Sequence, residues 1–385
     1  MWNDLANLLF LAYEQFSLLP LFIEIALVLI FVAVMATLIA YGSILFRRYN
    51  SSVYQRRLAH LSPIIEDLIT EQVLLNENLG KDIPVEEIEF DQHALSNKAF
   101  RKPAVRQIII DTLIRYRKNF RGEVGELLRK LYIDMNLVED SFSKLRTFKW
   151  ETKIKALVEL TNMDIPISDS MLLPLTNSQN PSLRAASRNA YIQLSKNEPF
   201  KFFDIATEPI LPWDQMEMFK IITTTKDITI PNFSRWVSYS NNKSIVSFCL
   251  RLIAHYDQRT AIPSVIDLLQ TKDHQFRAQA INCLGQLSAE IAEEKLVTIY
   301  TSQPLNCQIE ILKAIGKISS GKHLEFLKNE FLYSSSFDIQ MNAARAIIRH
   351  NSQQSRYIIT DILENTNEEN QTIVKHCQNP LIKYQ

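Results

Sequence analysis

The chain has 385 residues, which is long enough for a full-sized core or for a long array of repeats. Its 42 Lys plus Arg residues balance its 42 Asp plus Glu residues, so the net charge gives no reason to expect a nucleic-acid partner. Glycine is scarce, with seven residues, and no glycine cluster would let backbone N–H groups approach a phosphate. The composition therefore excludes a glycine-rich nucleotide loop and favours helices over β-structure.

A run without charged side chains occupies residues 25–46 and reads IALVLIFVAVMATLIAYGSILF. At about 1.5 Å per residue, a helix of this length spans ~33 Å, enough for the ~30 Å hydrocarbon core of a bilayer. A buried core helix usually carries a polar stripe, and a signal peptide needs basic residues before its apolar run. Neither alternative fits, because the run has no polar stripe and no Lys or Arg precedes Arg47. The sequence predicts a transmembrane helix at residues 25–46.

Basic residues directly after this span predict its orientation. They are Arg47, Arg48, Arg56 and Arg57. Positive side chains stay on the cytosolic side of a membrane, so the N-terminus faces outside and the rest of the chain lies in the cytosol. Residues 1–24 then form an external amphipathic segment, because acidic residues and Pro20 interrupt them as a second span. We expect a single-pass protein of a cell inner (plasma) membrane.

The region after the span, residues 47–100, divides into a helix and an acidic linker. Apolar residues at alternating three- and four-residue steps form a short seam: Tyr54, Leu58, Leu61, Ile65 and Leu68. This seam indicates either a coiled coil that forms a homodimer through residues 49–78, or a helix packed on the first repeat. The second interpretation is favoured, because coiled coils need three or more heptads. The linker carries Glu86, Glu87, Glu89 and Asp91, and charge runs of this kind are usually solvated.

Twelve-residue windows then recur with a period near 31 residues. They begin at Lys149, Leu183, Asp214, Ile245, Phe276, Cys307 and Ile339. Positions five, eight, nine and twelve share one helical face, and 24 of these 28 residues are apolar, where the chain average of 46% predicts about 13. The eighth position is small in five windows, which permits close helix approach. Those residues are Ala156, Ala190, Cys283, Ala314 and Ala346.

Each window is predicted to be the first helix of a helix pair. The second helices are too short to be stable alone, so stacking on neighbouring pairs must supply their burial. A divergent window begins at Val105, and residues 356–365 supply the second helix of the last pair. The predicted fold class is all-α: an α-solenoid of about eight helix pairs over residues 101–376, preceded by one transmembrane helix and followed by a tail at residues 377–385.

The windows LRAASRNAYIQL and FRAQAINCLGQL, preceded by NPS and DHQ, resemble the first helix of HEAT repeats, closest to the short PBS-lyase-type class. The resemblance implies binding rather than chemistry. It also implies that an arginine at the second window position makes hydrogen bonds between repeats. That arginine stands at Arg106, Arg184 and Arg277. Where other residues replace it, we expect the bond to be missing. Those residues are Trp150, Gln215, Val246, Gln308 and Gln340.

We therefore expect a membrane-tethered, non-enzymatic scaffold for protein–protein interaction, which meets an unknown protein partner at the cytosolic membrane face. The candidate partner-binding cations are those on the predicted second helices: Lys201, Arg235, Lys295 and Lys328. No cofactor or metal is expected, because the cysteines are widely spaced and no Cys/His cluster has zinc spacing. Those cysteines are Cys249, Cys283, Cys307 and Cys377.

Three alternatives stay open. A HEAT-repeat lyase-like enzyme would need polar or nucleophilic groups gathered in one place, whereas the seven histidines are scattered. A nucleic-acid-binding array would need a basic surface, and the second helices are mixed in sign, so we expect no nucleic acid. An accessory subunit of a membrane complex would be recognised through small residues of the span. These are Ala33, Ala36, Ala40, Gly42 and Ser43.

The predicted orientation is tested by a reporter that is active only in the cytosol, fused to the C-terminus. We expect an active reporter, because the arginines after the span hold the following chain on the cytosolic side. Replacing Arg47, Arg48, Arg56 and Arg57 with Glu should produce mixed orientations. A C-terminus that proteases reach from outside intact cells would contradict the prediction.

Overall fold

The computed structural model describes residues 20–80, 83–91, 95, 98–195, 198–225, 228–379 and 381. Residues 1–19 of the predicted amphipathic segment lie outside the described residues, and so do parts of the acidic linker and most of the predicted tail. All regular structure in these described ranges is helical. The chain divides into two compact units, Met1–Val138 and Glu139–Gln385.

The first unit contains one long helix, α1 (Leu21–Ile69). Its apolar part, Ile25–Val53, is long and apolar enough to cross a membrane by length and composition, and the most apolar window within it has no buried residue. The helix continues without interruption beyond Phe46, so the predicted span and the helix after it are one element. A π-helical turn at Thr70–Leu74 ends it.

The C-terminal part of α1 packs inside the first unit against helix α2 (Pro103–Asn119). Helix α2 forms a pair with α3 (Glu123–Asp134). A salt bridge joins Glu66 of α1 to Arg115 of α2, with 2.6 Å between Oε1 and Nη2. Both apolar packing and this ion pair therefore connect the long helix to the first helix pair.

The predicted seam on α1 is buried in its C-terminal half. Ile65, Leu68 and Ile69 lose nearly all of their exposure, because the chain itself covers them. This is the arrangement expected for a helix packed on the first repeat. The side chains of Tyr54 and Leu58, in the N-terminal half of the seam, lie outside the described residues. The homodimer that this seam could form stays a prediction.

The second unit is a stack of helix pairs. In chain order its helices are α4 (Leu137–Leu145, which begins at the end of the first unit), α5 (Trp150–Asn162), α6 (Asp169–Leu172), α7 (Pro181–Leu194), α8 (Pro212–Thr224), α9 (Ser234–Tyr239), α10 (Lys243–His255), α11 (Ile262–Asp267), α12 (His274–Gln286), α13 (Glu290–Ile299), α14 (Leu305–Ile318), α15 (Leu324–Tyr333), α16 (Phe337–His350), α17 (Gln353–Asn365) and α18 (Glu368–Cys377). The first helices α5, α7, α8, α10, α12, α14 and α16 coincide with the seven predicted windows. A second helix or a 3₁₀ turn follows each of them, which confirms the predicted α-solenoid.

The predicted register of the first helices is confirmed by burial. Every residue at window positions eight and nine is buried except Ile221, which is half-buried. Leu284 and Ile315, at position nine of consecutive windows, have no exposed surface. One helical face of each window therefore forms the core, as the period predicted.

Consecutive first helices approach closely at small residues. A Cβ on Gly285 of α12 would lie 2.7 Å from the Cα of Ala314 on α14. A Cβ on Gly316 of α14 would lie 2.8 Å from the Cα of Ala346 on α16. The tenth window position of one helix thus faces the small eighth position of the next, and a larger residue would push the backbones apart.

In several first helices, the polar side chain at the second window position donates a hydrogen bond to the chain segment that precedes the helix. Their donors lie 2.5 to 3.2 Å from backbone carbonyl oxygens. The bonds run from Arg184 to Ser178, from Gln215 to Ile210, from Arg277 to Thr271 and from Gln308 to Tyr300. The expectation that replacing the arginine removes this bond is therefore wrong for these two glutamines, because an amide N–H also reaches the carbonyl.

Helix α18 is a further first helix that the sequence analysis did not assign. Its window begins at Asn370, which is 31 residues after Ile339. Gln371, at the second position, donates to the carbonyl of Thr366 at 3.0 Å, as the other glutamines do. The helix packs against α16 and ends at Cys377.

Substituting Gly285 with Ala tests the close approach of the first helices. The added methyl group collides with the backbone of Ala314, and we expect a net loss of about 1–2 kcal/mol, although Ala favours helix formation by ~1 kcal/mol over Gly. Thermal unfolding of the full chain in detergent, followed by circular dichroism, measures the change. The control is Gln286→Ala on the exposed side of the same helix, which should not lower the melting temperature. A Gly285→Ala chain that melts at a higher temperature would contradict the packing described here.

Candidate partner-binding surface

Three of the four cations predicted to bind a partner lie on second helices. Arg235 lies on α9, Lys295 on α13 and Lys328 on α15, and Lys201 begins a 3₁₀ turn that replaces a second helix. Of the basic residues after the predicted span, Arg47, Arg48 and Arg56 are exposed on α1. The side chain of Arg57 lies outside the described residues.

Three of these cations form salt bridges with carboxylates of the preceding or following repeat. The nitrogen-to-oxygen distances are 3.3 Å, 3.0 Å and 2.9 Å for Lys201–Asp169, Arg235–Asp204 and Lys328–Asp361. The hydrogen bond to Asp361 raises the pKa of Lys328 above its ordinary value. The same charges therefore join neighbouring repeats, and their role in partner binding stays a prediction.

The opposite side of the second unit, formed by the first helices, carries two cavities of about 450 Å³ each. Window positions seven and eleven line them, since residues four apart lie on the same side of a helix. We call this surface the first-helix trough. Its residues at these positions are Arg251, His255, Asn282, Gln286, Lys313, Lys317, Arg345 and Arg349. Asn282 and Gln286 line both cavities, so the cavities are adjacent.

One half of the trough, between α8 and α12, is largely apolar. Met216 is 62% exposed at its edge, and the ring of Phe219 packs edge-on against the ring of His255 with 4.9 Å between centroids. The buried side chain of Phe248 forms part of the floor. We call this part the apolar half.

The other half, formed mainly by α12, α14 and α16, is basic. Four cations line it, and none of the described residues that line it is Asp or Glu. They are Lys313, Lys317, Arg345 and Arg349. A nearby carboxylate, Glu310, binds Lys313 at 2.7 Å and accepts a hydrogen bond from Asn282 at 2.7 Å. We call this part the basic half.

Lys317 shows the electrostatic cost of this arrangement. Its side chain is half-buried and forms no ion pair within the described chain. Burial, followed by the charges of Arg349 and Lys313, lowers its pKa, and the charge of Glu310 opposes this shift only in part. A desolvated cation beside other cations is stabilised when an anion approaches. The basic half can therefore bind a carboxylate or another anionic group.

Metal binding and thiol chemistry have less support from the described residues than anion binding has. In the part of the chain that the structure describes, no group of three or more His, Cys, Asp or Glu side chains could hold a metal ion. All four cysteines are buried, and burial raises the pKa of the Cys283 thiol to about 12, which keeps it protonated at neutral pH.

The charges on the predicted second helices give no indication of the trough. The signal lies in the windows themselves: from α7 to α16, positions seven and eleven contain no acidic residue. These positions are separated by about 31 residues along the chain, and they form one surface because the first helices stack side by side.

The fold and this surface define the chain as an α-solenoid of helical repeats. No family model matches the chain, and no curated protein matches it. Similar solved structures include an engineered protein at 17% identity and a TM-score of 0.33, covering 74% of this chain and 82% of that one. Another is the complex of CpcE and CpcF of phycocyanin lyase from Nostoc sp. PCC7120, at 12% identity and a TM-score of 0.26, covering 78% of this chain and 98% of that one.

A third similar structure is Kap121p, at 11% identity and a TM-score of 0.28, covering 94% of this chain and 38% of that one. At such low identities and TM-scores, none of the three similarities carries information about what this chain binds.

Charge reversal at Lys328 tests the structural role of the second-helix cations. Lys328→Glu places a carboxylate beside Asp361, and we expect the melting temperature to fall by roughly 1–4 °C. Adding Asp361→Lys should restore it. Lys295→Glu is the control, because Lys295 has no salt bridge in the described chain, and it should change the melting temperature less. An unchanged melting temperature for Lys328→Glu would show that this ion pair does not hold the repeats together.

Proposed function

We propose that this chain is a membrane-tethered, non-enzymatic scaffold whose solenoid holds a protein partner at the cytosolic face. The observation that carries the proposal is the continuity of α1. One helix contains both the apolar stretch Ile25–Val53 and the buried residues Ile65 and Ile69, which pack in the first unit. A span joined in this way to the first helix pair acts as a tether for the repeats.

The nature of the surface supports a protein as the partner. Stacked helix pairs provide an extended surface without needing a closed active site, and such surfaces suit polypeptides. The first-helix trough combines exposed apolar side chains with cations and amides, the mixture found in protein interfaces. Tethering raises the local concentration of this surface at the membrane and adds no new contact.

The test is an anchor exchange with a proximity-labelling enzyme fused to the C-terminus. We expect replacement of residues 1–46 by an unrelated single span of the same orientation to preserve the set of labelled partners. Deleting the span should reduce the labelling, because the local concentration at the membrane falls. The control is the unrelated span fused to the labelling enzyme without the solenoid.

Loss of the labelled set on anchor exchange, at equal expression and orientation, would contradict the separable tether. That outcome would favour an accessory subunit recognised through the span, where Ala33 and other small residues permit close helix contact. A labelled set identical to that of the control lacking the solenoid would contradict the scaffold itself.

A further inference from the structure

We propose that the first-helix trough binds an extended acidic segment of the partner protein, with acidic side chains in the basic half and apolar side chains in the apolar half. This inference rests on the proposed scaffold function and specifies the chemistry of its partner. It places the binding surface on the first helices, opposite to the cations that the sequence singled out.

The charge of the basic half argues for an anionic occupant. Lys317 and Arg349 are the eleventh residues of consecutive windows and have no salt bridge in the described chain. Their neighbour Glu310 is already bound to Lys313 and Asn282. Carboxylates entering the trough would therefore meet two cations that have no ion-pair partner among the described residues.

The apolar half distinguishes a polypeptide from a nucleic acid. A nucleic acid carries a negative charge at every nucleotide and would favour cations along the whole trough. Arg251 lines the apolar half, where Met216 and Phe219 offer apolar surface instead of further cations. A polypeptide can match both halves, because its acidic and apolar residues can be separated along the sequence.

The shape of the trough distinguishes a polypeptide from a lipid surface. Lipid headgroups at a bilayer surface are contacted by protruding basic side chains. Lys317, by contrast, is half-buried at a cavity of about 450 Å³, and Asn282 and Gln286 line both this cavity and the one in the apolar half. A narrow chain that enters the trough reaches these groups more readily than a bilayer does.

The length of the trough sets the length of the segment. Four steps separate α8 from α16 along the first helices, and packed helices lie about 8–10 Å apart, so the trough extends ~32–40 Å. An extended chain advances about 3.3 Å per residue, so roughly 10–12 residues span it.

The experiment measures fluorescence anisotropy of labelled peptides with the full-length protein in uncharged detergent. The probe is a pool of peptides of about 12 residues with an acidic half and an apolar half, made in both orders. The matched probe has the same composition with acidic and apolar residues mixed evenly. We expect tighter binding of the segregated pool, since only it matches both halves of the trough.

Two pairs of substitutions test which residues bind. Lys317→Gln with Arg349→Gln removes charge from the basic half, and we expect about tenfold weaker binding of the segregated pool. Lys272→Gln with Lys322→Gln removes the same charge at exposed positions outside the trough and should leave binding unchanged. Phe219→Ser should weaken binding of the segregated pool more than that of the mixed pool. Circular dichroism checks that each variant is folded.

Three outcomes would overturn the inference. The first is an equal loss of peptide affinity in the trough pair and the control pair of substitutions. The second is that neither peptide pool binds. The third is that poly(U) or phosphatidylglycerol vesicles bind more tightly than the peptides, and that the trough pair of substitutions removes this binding. The proximity-labelling experiment is repeated with the Lys317→Gln, Arg349→Gln double variant. It distinguishes a wrong assignment of the trough from a wrong assignment of the scaffold function. An unchanged, solenoid-dependent labelled set would reject the trough and retain the scaffold.

Discussion

The close packing of consecutive first helices is the constraint on which the second unit depends. At Gly285 and Gly316 the tenth window position has no side chain, and at Ala314 and Ala346 the facing position has a single methyl group. Helices that meet at such small residues approach backbone to backbone, which maximises dispersion contacts and fixes their relative register. Substitution of either glycine disturbs that register.

The same packing produces the candidate binding surface. Positions seven and eleven flank the small residues at positions eight and ten, so close approach of two helices brings their polar side chains together. Lys317 of α14 and Arg349 of α16 become neighbours in this way, and the charge of Arg349 contributes to the lowered pKa of Lys317. Repulsion between these two charges lowers the stability of the fold, and the free energy gained by hydrophobic burial at positions eight and nine offsets it.

Much of this fold could be predicted from the sequence, because helical period and burial are local properties. The windows assigned Leu284 and Ile315 to the core correctly, and the small eighth position predicted close approach. The window at Asn370 was missed although the same 31-residue step leads to it. The trough was harder to predict. Lys317 and Arg349 are adjacent only because their helices pack together, and the amino-acid sequence alone does not give distances between side chains on different helices. The salt bridges of the second-helix cations could not be predicted for the same reason.

The most direct test of the account is site-specific photo-cross-linking in intact membranes. A cross-linking residue replaces Gln286, which is exposed in the middle of the trough, and in a second chain it replaces the exposed Tyr239 on a second helix. The account predicts a defined protein adduct from position 286 and a weaker or absent adduct from position 239. An adduct from position 239 with none from position 286 would contradict the assignment of the first-helix trough as the partner-binding surface.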